Sequence, residues 1–214
     1  MQAATFIKIC GLTRAQDVGA AVHAGAHFLG FVLYPGSPRY IPLERAIELC
    51  ALMPPAVKPV LLFVNAERVD VQAACRAIPQ GILQFHGDET PQQCKELADG
   101  YPYWRAARMH EGFDLKAFAE QYAQAQALVL DAHVQGYGGG GQAFDWSWVP
   151  QGLSTPLILS GGLNPDNVEA GIRQIRPWGV DVSSGVEVAK GIKHHPAMQS
   201  FCQAVRCTDQ LLST

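Results

Sequence analysis

Short apolar runs of five to eight residues alternate with amphipathic stretches along the chain. The run at 6–10 is β-rich and ends on Gly11. Apolar positions then recur at helical spacing, with Thr13 as the expected N-cap and Gly25 as the stop. A strand over 27–33 leads to a helix over 42–53, opened by Pro42 and closed by Pro54 and Pro55. The run at 57–64 is almost unbroken, as in a strand covered on both faces. A helix over 66–78, a strand over 81–85, a helix over 91–99, a strand over 103–108, a helix over 114–123 and a strand over 127–131 continue the alternation. A strand over 156–160, a helix over 165–175, a strand over 179–183 and a helix over 196–207 complete it. Seven of the eight strands lead into a helix; the sixth leads into a long loop and a short turn around Trp146. Alternating β and α elements call for a parallel sheet, and eight of them call for closure into a barrel. A doubly wound open sheet usually carries Gly-x-Gly-x-x-Gly after its first strand, where this chain reads Cys10-Gly11-Leu12-Thr13. The expected fold is α/β, a (β/α)8 TIM barrel with residues 1–214 as a single domain.

The 214 residues are 48% hydrophobic, enough for one sizeable core. A net charge of −3 and the lack of any Lys/Arg cluster argue against nucleic acid as a partner. No basic leader and no apolar run near the ~20 residues of a membrane span is visible, so a cytoplasmic protein without membrane contact is expected. A monomer is the default. The six cysteines include no Cys-x-x-Cys pair and read as free thiols, each a small buried apolar residue unless its position says otherwise. Metal-ligand spacing is lacking: Gly25 interrupts the helix between His23 and His27, and His194 and His195 read as solvated turn residues.

Barrel enzymes place their chemistry on the loops after the strands' C-terminal ends, which turns the strand map into a list of candidates. Lys8 and Cys10 end the first strand on one face. The proline-framed loop after the second carries Arg39, either a bidentate fork for a carboxylate or a surface arginine. His86 follows the fourth strand, as a ligand contact or a structural histidine. Arg105 and Arg108 close the fifth, and Asp131 closes the sixth, as a reacting carboxylate, a cap or an ion-pair partner. Gly136 to Gly141 then read as a mobile loop over substrate, or as a plain linker. Ser160-Gly161-Gly162 after the seventh strand and Asp181-Val182-Ser183-Ser184-Gly185 after the eighth offer backbone N–H groups beside a helix start, a phosphate cradle unless the glycines serve only tight turns.

Together these segments resemble the phosphoribosylanthranilate isomerase family, in Ile7-Lys8-Ile9-Cys10-Gly11-Leu12-Thr13, Ser37-Pro38-Arg39-Tyr40-Ile41, Gln84-Phe85-His86-Gly87, Asp131 with Phe144-Asp145-Trp146, Ser160-Gly161-Gly162-Leu163 and Asp181-Val182-Ser183-Ser184-Gly185-Val186-Glu187. The resemblance covers nearly the whole chain. It implies an Amadori rearrangement of a phosphorylated aminosugar in tryptophan biosynthesis without metal or organic cofactor. Cys10 would be the general base, Asp131 the general acid and Arg39 the holder of the anthranilate carboxylate. The last two loops, with Gly161, Gly162, Asp181, Ser183 and Ser184, would hold the phosphate, and Lys8 and His86 would also contact the substrate. Ordinary pKa values near 3.9 for Asp and 8.5 for Cys do not suit these roles at neutral pH, so Asp131 is expected to be raised by burial and Cys10 lowered by Lys8. The chain departs from the family pattern at Gly140 and Gln142. It also departs at Lys190-Gly191-Ile192-Lys193-His194, expected to form a turn below the site with little effect on catalysis. Other phosphate-binding barrels fit less well. An indole-glycerol-phosphate synthase calls for catalytic Lys and Glu at strand ends. A histidine-pathway isomerase calls for an aspartate where Cys10 stands, and a non-catalytic sensor needs no Cys10–Asp131 pair.

Overall fold

The computed structural model describes residues 4–132 and 143–213; the run 136–141, including Gly140, and Gln142 lie outside them. Eight parallel strands close into a barrel in chain order: β1 (Phe6–Cys10), β2 (Phe28–Val32), β3 (Lys58–Phe63), β4 (Ile82–Phe85), β5 (Tyr103–Met109), β6 (Ala127–Ala132), β7 (Leu157–Leu159) and β8 (Gly179–Val182), with β8 pairing back onto β1. Helices α1 (Ala15–Ala24), α2 (Leu43–Cys50), α3 (Arg68–Ala77), α4 (Pro91–Ala98) and α5 (Leu115–Gln121) follow the first five strands, α6 (Val168–Ile175) follows β7, and α7 (His195–Leu212) ends the chain. This is the TIM barrel that the strand–helix alternation predicts.

Side-chain alternation along each strand splits the core in two. Outward residues such as Ile7, Ile9, Phe31, Leu61, Phe85, Leu128 and Val180 pack against the apolar faces of the helices. Inward residues Phe28, Val60, Trp104, Ala127, Val129 and Ile158, with Phe6, Ile82 and Trp178 against them, plug the N-terminal end of the barrel. Phe28 meets Trp104 edge-on at 4.9 Å, and Phe6 lies 4.6 Å from Trp178. Higher on the same inward face stand buried polar residues, Lys8, Gln84, Asp131, Ser160 and Asp181. The barrel is dry and aromatic below, polar above.

Several boundaries differ from the sequence expectation, among them the end of α2 at Cys50 rather than 53 and that of α7 at Leu212 rather than 207. Arg14, not Thr13, is the N-cap of α1, because the Thr13 hydroxyl donates instead to the Gly191 carbonyl at 2.7 Å. Helix α6 begins at Val168 rather than 165, after a turn in which Asn164 Oδ1 accepts from the N–H groups of Asp166 and Asn167. Ahead of α7 the chain forms a small hairpin, β9 (Glu187–Ala189) with β10 (Ile192–Lys193), that no run of alternating residues announced. His195 is exposed, as expected, but it opens α7 rather than lying in a turn, and its Nε2 lies 2.8 Å from buried Asp17.

Trp104 is the largest side chain in the plug and only 1% exposed. Trp104→Ala is expected to lower the unfolding free energy by about 3–5 kcal/mol. Urea denaturation measures this, and a loss below about 1 kcal/mol would show that the aromatic plug does not hold the barrel closed.

Candidate active site

The parity that buries the plug also places the candidate residues on one mouth. On β1, Phe6, Lys8 and Cys10 point inward in turn; on β8 and just past it, Asp181 and Ser183 do the same, and on β6 Asp131 follows Ala127 and Val129. Lys8 pairs in register with Asp181 across the closing seam, and their side chains meet at 2.9 Å, both buried. Ser160 donates to the other Asp181 oxygen at 3.2 Å. Burial works against the Lys8 charge, but Asp181 and Cys10 outweigh it and hold this ammonium above its ordinary range.

Cys10 packs with Val32, Leu62 and Val64 at the rim. Gly30 stands directly beside it: a Cβ there would lie 2.7 Å from Sγ, so only glycine leaves the thiol its place. The expectation of a lowered Cys10 pKa is corrected. Burial pushes the thiol up; Lys8 pulls it down, Asp181 pushes it up again and Lys193 pulls it down, with a net rise. Burial, with Asp181 adding to it, outweighs the pull of Lys8 and Lys193 on the thiol.

On the opposite wall Asp131 is fixed from two sides. Its Oδ1 accepts from the Ala132 N–H at 2.9 Å, and its Oδ2 lies 3.1 Å from His86 Nε2. The Gln84 amide donates to His86 Nδ1 at 3.0 Å, which puts the ring proton on Nε2, facing the carboxylate. Gly161, at φ +74°, abuts this group: its Cβ would fall 2.6 Å from the Ala132 nitrogen and 2.8 Å from Asp131 Oδ1.

The two candidate phosphate loops touch. A Cβ on Gly185 would lie 1.9 Å from the Leu163 carbonyl oxygen, so only glycine lets the loop of Ser183 and Ser184 lie against that of Gly161 and Gly162. The sequence assigned part of this cradle to a helix start. The start of α6 is further on, and the N–H groups of Asn164 and Asn167 are taken by each other's side chains. The start of α6 is thus not free for a ligand, while a one-turn 3₁₀ helix over Ser184–Val186 opens beside the Gly161–Gly162 loop.

Arg39 does not reach into open solvent. Its Nε and Nη2 grip the Glu187 carboxylate at 2.9 and 2.7 Å, leaving Nη1 outside the pair. Glu187 also accepts from Lys193 Nζ at 2.8 Å, and Lys193 donates on to the Ser183 carbonyl at 3.1 Å. The segment 190–194 holds the expected turn at Lys190 and Gly191, but its Gly191 N–H and Lys193 ammonium reach Glu187 beside Arg39. Sequence reasoning passed over Glu187 and Lys193 as site residues, although Glu187 ends a quoted motif. Arg105 points outward: it donates to the Phe85 and Gly87 carbonyls and stacks 5.0 Å over Tyr122, a support for the His86 loop. Arg108 points inward and pairs with Asp88.

Fold and site together define a barrel enzyme with a thiol ending β1 and a carboxyl group on β6 at the same mouth, beside two touching glycine loops. A family model, N-(5'phosphoribosyl)anthranilate (PRA) isomerase, matches residues 7–204, and the chain belongs to that family. It is 59% identical to the N-(5'-phosphoribosyl)anthranilate isomerase of Leptothrix cholodnii over 207 residues, 97% of this chain and 93% of the relative. The crystal structure of the phosphoribosyl anthranilate isomerase from Thermotoga maritima superposes with a TM-score of 0.87 at 35% identity, covering 95% of this chain and 99% of that one. A second isomerase, solved in complex with reduced 1-(o-carboxyphenylamino)-1-deoxyribulose 5-phosphate, superposes with a TM-score of 0.82 at 32% identity, covering 95% and 99%. The chain is an isomerase of tryptophan biosynthesis.

Cys10 is expected to alkylate with iodoacetamide at a pH midpoint above that of an ordinary thiol, because burial outweighs the lysines. In Lys8→Met a lowering charge is gone and Asp181 is left unpaired, so the midpoint rises further. A midpoint that stays fixed or falls would show that Lys8 exerts no electrostatic pull on Cys10.

Proposed function

We propose that this chain converts N-(5-phosphoribosyl)anthranilate into 1-(2-carboxyphenylamino)-1-deoxyribulose 5-phosphate, with Asp131 as general acid and Cys10 as general base. The observation that carries the assignment is the pair itself: one thiol ending β1 and one carboxyl ending β6, on the same mouth of a closed barrel. Asp131 protonates the ring oxygen of the aminofuranose. The C1–O bond breaks and C1 becomes a protonated Schiff base to the anthranilate nitrogen. That cation acidifies the C2 proton, which the Cys10 thiolate removes to give an enolamine. The enolamine becomes the ketone as C1 gains a proton and the 2-hydroxyl loses one, which restores both side chains.

The acid needs its proton in the bound complex, and the Gln84–His86–Asp131 chain can accommodate it. When Asp131 is protonated, His86 takes its other tautomer: Nε2 accepts from the carboxyl group and Nδ1–H faces the Gln84 amide. The amide then turns its oxygen toward the ring. That oxygen, Oε1, is buried and has no hydrogen-bond partner among the described residues, so the alternative tautomer satisfies an acceptor that is otherwise orphaned.

Glycine backbone from Gly161 and Gly162 and the turn at Ser183 and Ser184 supply the phosphate seat. Arg39 Nη1 supplies the carboxylate contact, with Glu187 anchoring the rest of the fork. Lys8 and Asp181 set the field at Cys10 beneath the substrate. No metal or organic cofactor enters the scheme.

Generating the labile substrate in situ from anthranilate and phosphoribosyl pyrophosphate, and following loss of its fluorescence, tests the assignment. Cys10→Ala and Asp131→Asn are each expected to cut kcat by about 10²–10⁴. Wild-type kcat/KM is expected to rise with pH as the Cys10 thiol ionises, since the raised thiol is mostly protonated at neutral pH. No turnover by the wild-type chain would end the substrate assignment; turnover surviving in both variants would end the assigned roles.

A further inference from the structure

Glu187 stands where three separate segments converge. Its carboxylate, only 4% exposed, accepts from Nε and Nη2 of Arg39 on the loop after β2, from the ammonium of Lys193 on β10 at 2.8 Å, and from the Gly191 N–H at 3.3 Å. Lys193 passes the connection on, to the carbonyl of Ser183 at 3.1 Å and its hydroxyl at 3.4 Å. The same group closes around the residue after Cys10. A Cβ on Gly11, at φ +76°, would lie 2.5 Å from Arg39 Cδ and 3.1 Å from Ser183 Oγ. One carboxylate therefore links the arginine fork, the candidate phosphate turn and the end of the thiol strand.

We propose that Glu187 and Lys193 are positioning residues of the isomerase site: Glu187 aims the Arg39 fork and limits the positive field on Cys10, and Lys193 ties Glu187 to the Ser183 turn while adding to that field.

A purely structural ion pair would not be built this way. Replacing a buried pair with apolar residues is often neutral for stability, so the arrangement needs another reason to carry full charges. The charges act on Cys10 in opposite senses. Charges acting on the thiol are Lys8 on β1, Asp181 on β8, Lys193 on β10 and Arg39 on the loop after β2; Glu187 on β9 acts through its pairs with Arg39 and Lys193. Lys193 lowers the cost of a thiolate, while Glu187 cancels part of both Lys193 and Arg39. Burial alone would favour neutral Glu187 and neutral Lys193; Arg39 and Lys193 hold Glu187 well below the usual carboxylate range, whereas burial still keeps Lys193 below an ordinary lysine.

The opposite signs give a test that loss of structure cannot imitate. Iodoacetamide alkylation of Cys10 across pH, without substrate, is followed in the wild-type chain, Glu187→Gln and Lys193→Met, each first shown folded by circular dichroism and thermal melting. Glu187→Gln removes a negative charge and frees two cations, so the alkylation midpoint falls; Lys193→Met removes a cation, so the midpoint rises, each by about one pH unit. Glu187→Asp keeps the charge but shortens the reach to Arg39. Its midpoint stays near wild type while KM rises about tenfold and kcat falls less, because the fork is misplaced rather than lost. Midpoints that move together, or not at all, overturn the proposal, as does a Glu187→Asp chain with unchanged KM. If Glu187→Gln fails to fold, Lys193→Met and Glu187→Asp decide alone, by the same midpoint and KM criteria. The kinetic arm rests on the isomerase reading and the alkylation arm does not. A wild-type chain without turnover, yet with opposed midpoint shifts, removes that reading and leaves the field inference standing.

Discussion

The salt bridge between Lys8 and Asp181 lies across the seam that closes the barrel, joining residues 173 positions apart in sequence. Taking two such ions out of water costs several kcal/mol each, and only close geometry and further hydrogen bonds offset it. The geometry is present: a 2.9 Å contact, with Ser160 from β7 satisfying the second Asp181 oxygen. Three neighbouring strands thereby share one polar contact in an interior that is aromatic just below. The pair adds little stability that leucines could not supply. What it adds is a fixed charge distribution one step beneath the reacting groups, since Cys10 is two residues above Lys8 and Ser183 two above Asp181.

From that level upward the mouth divides into two walls. One carries Cys10 among lysines, the Arg39 fork and their carboxylates; the other carries Gln84, His86 and Asp131. An acid and a base that touched would exchange their proton with each other rather than with a ligand. Mounting them on β1 and β6, with β7 and β8 between, keeps them apart while both face the same space. Gly30 beside Cys10 and Gly161 beside Asp131 carry no Cβ, and a methyl group at either place would collide with the thiol or the carboxylate.

Much of this was legible in the sequence because barrels repeat two simple periods. Strand alternation gave the inward parity of Lys8 and Cys10, and the strand count put Asp131 on the same mouth. The family motifs supplied the roles. What escaped had physical reasons of its own. The β9–β10 strands are three and two residues long, too short for any hydrophobic period to register. Lys193 falls in a segment that reads as a turn below the site, and only its tertiary contact with Glu187 shows it buried beside Arg39. Thr13 looked like a cap by type, but its hydroxyl has a partner 178 residues away. The Cys10 thiol lies high rather than low because burial, which the lysine two residues away does not reveal, outweighs the pull of Lys8.

The charge balance of the cationic wall bears on why that thiol can be high at rest and still serve as a base. Around Cys10 three cations, Lys8, Arg39 and Lys193, face two carboxylates, Asp181 and Glu187. One positive charge is in excess in a region nearly closed to water, where isolated charge is costly. Either a thiolate or an anionic group of a ligand completes the balance. A substrate bearing phosphate and carboxylate satisfies it on binding, and by itself would push the thiol further up. In the proposed scheme the cation that forms at C1 on ring opening reverses this, and deprotonation by Cys10 is favoured in that step rather than in the empty site.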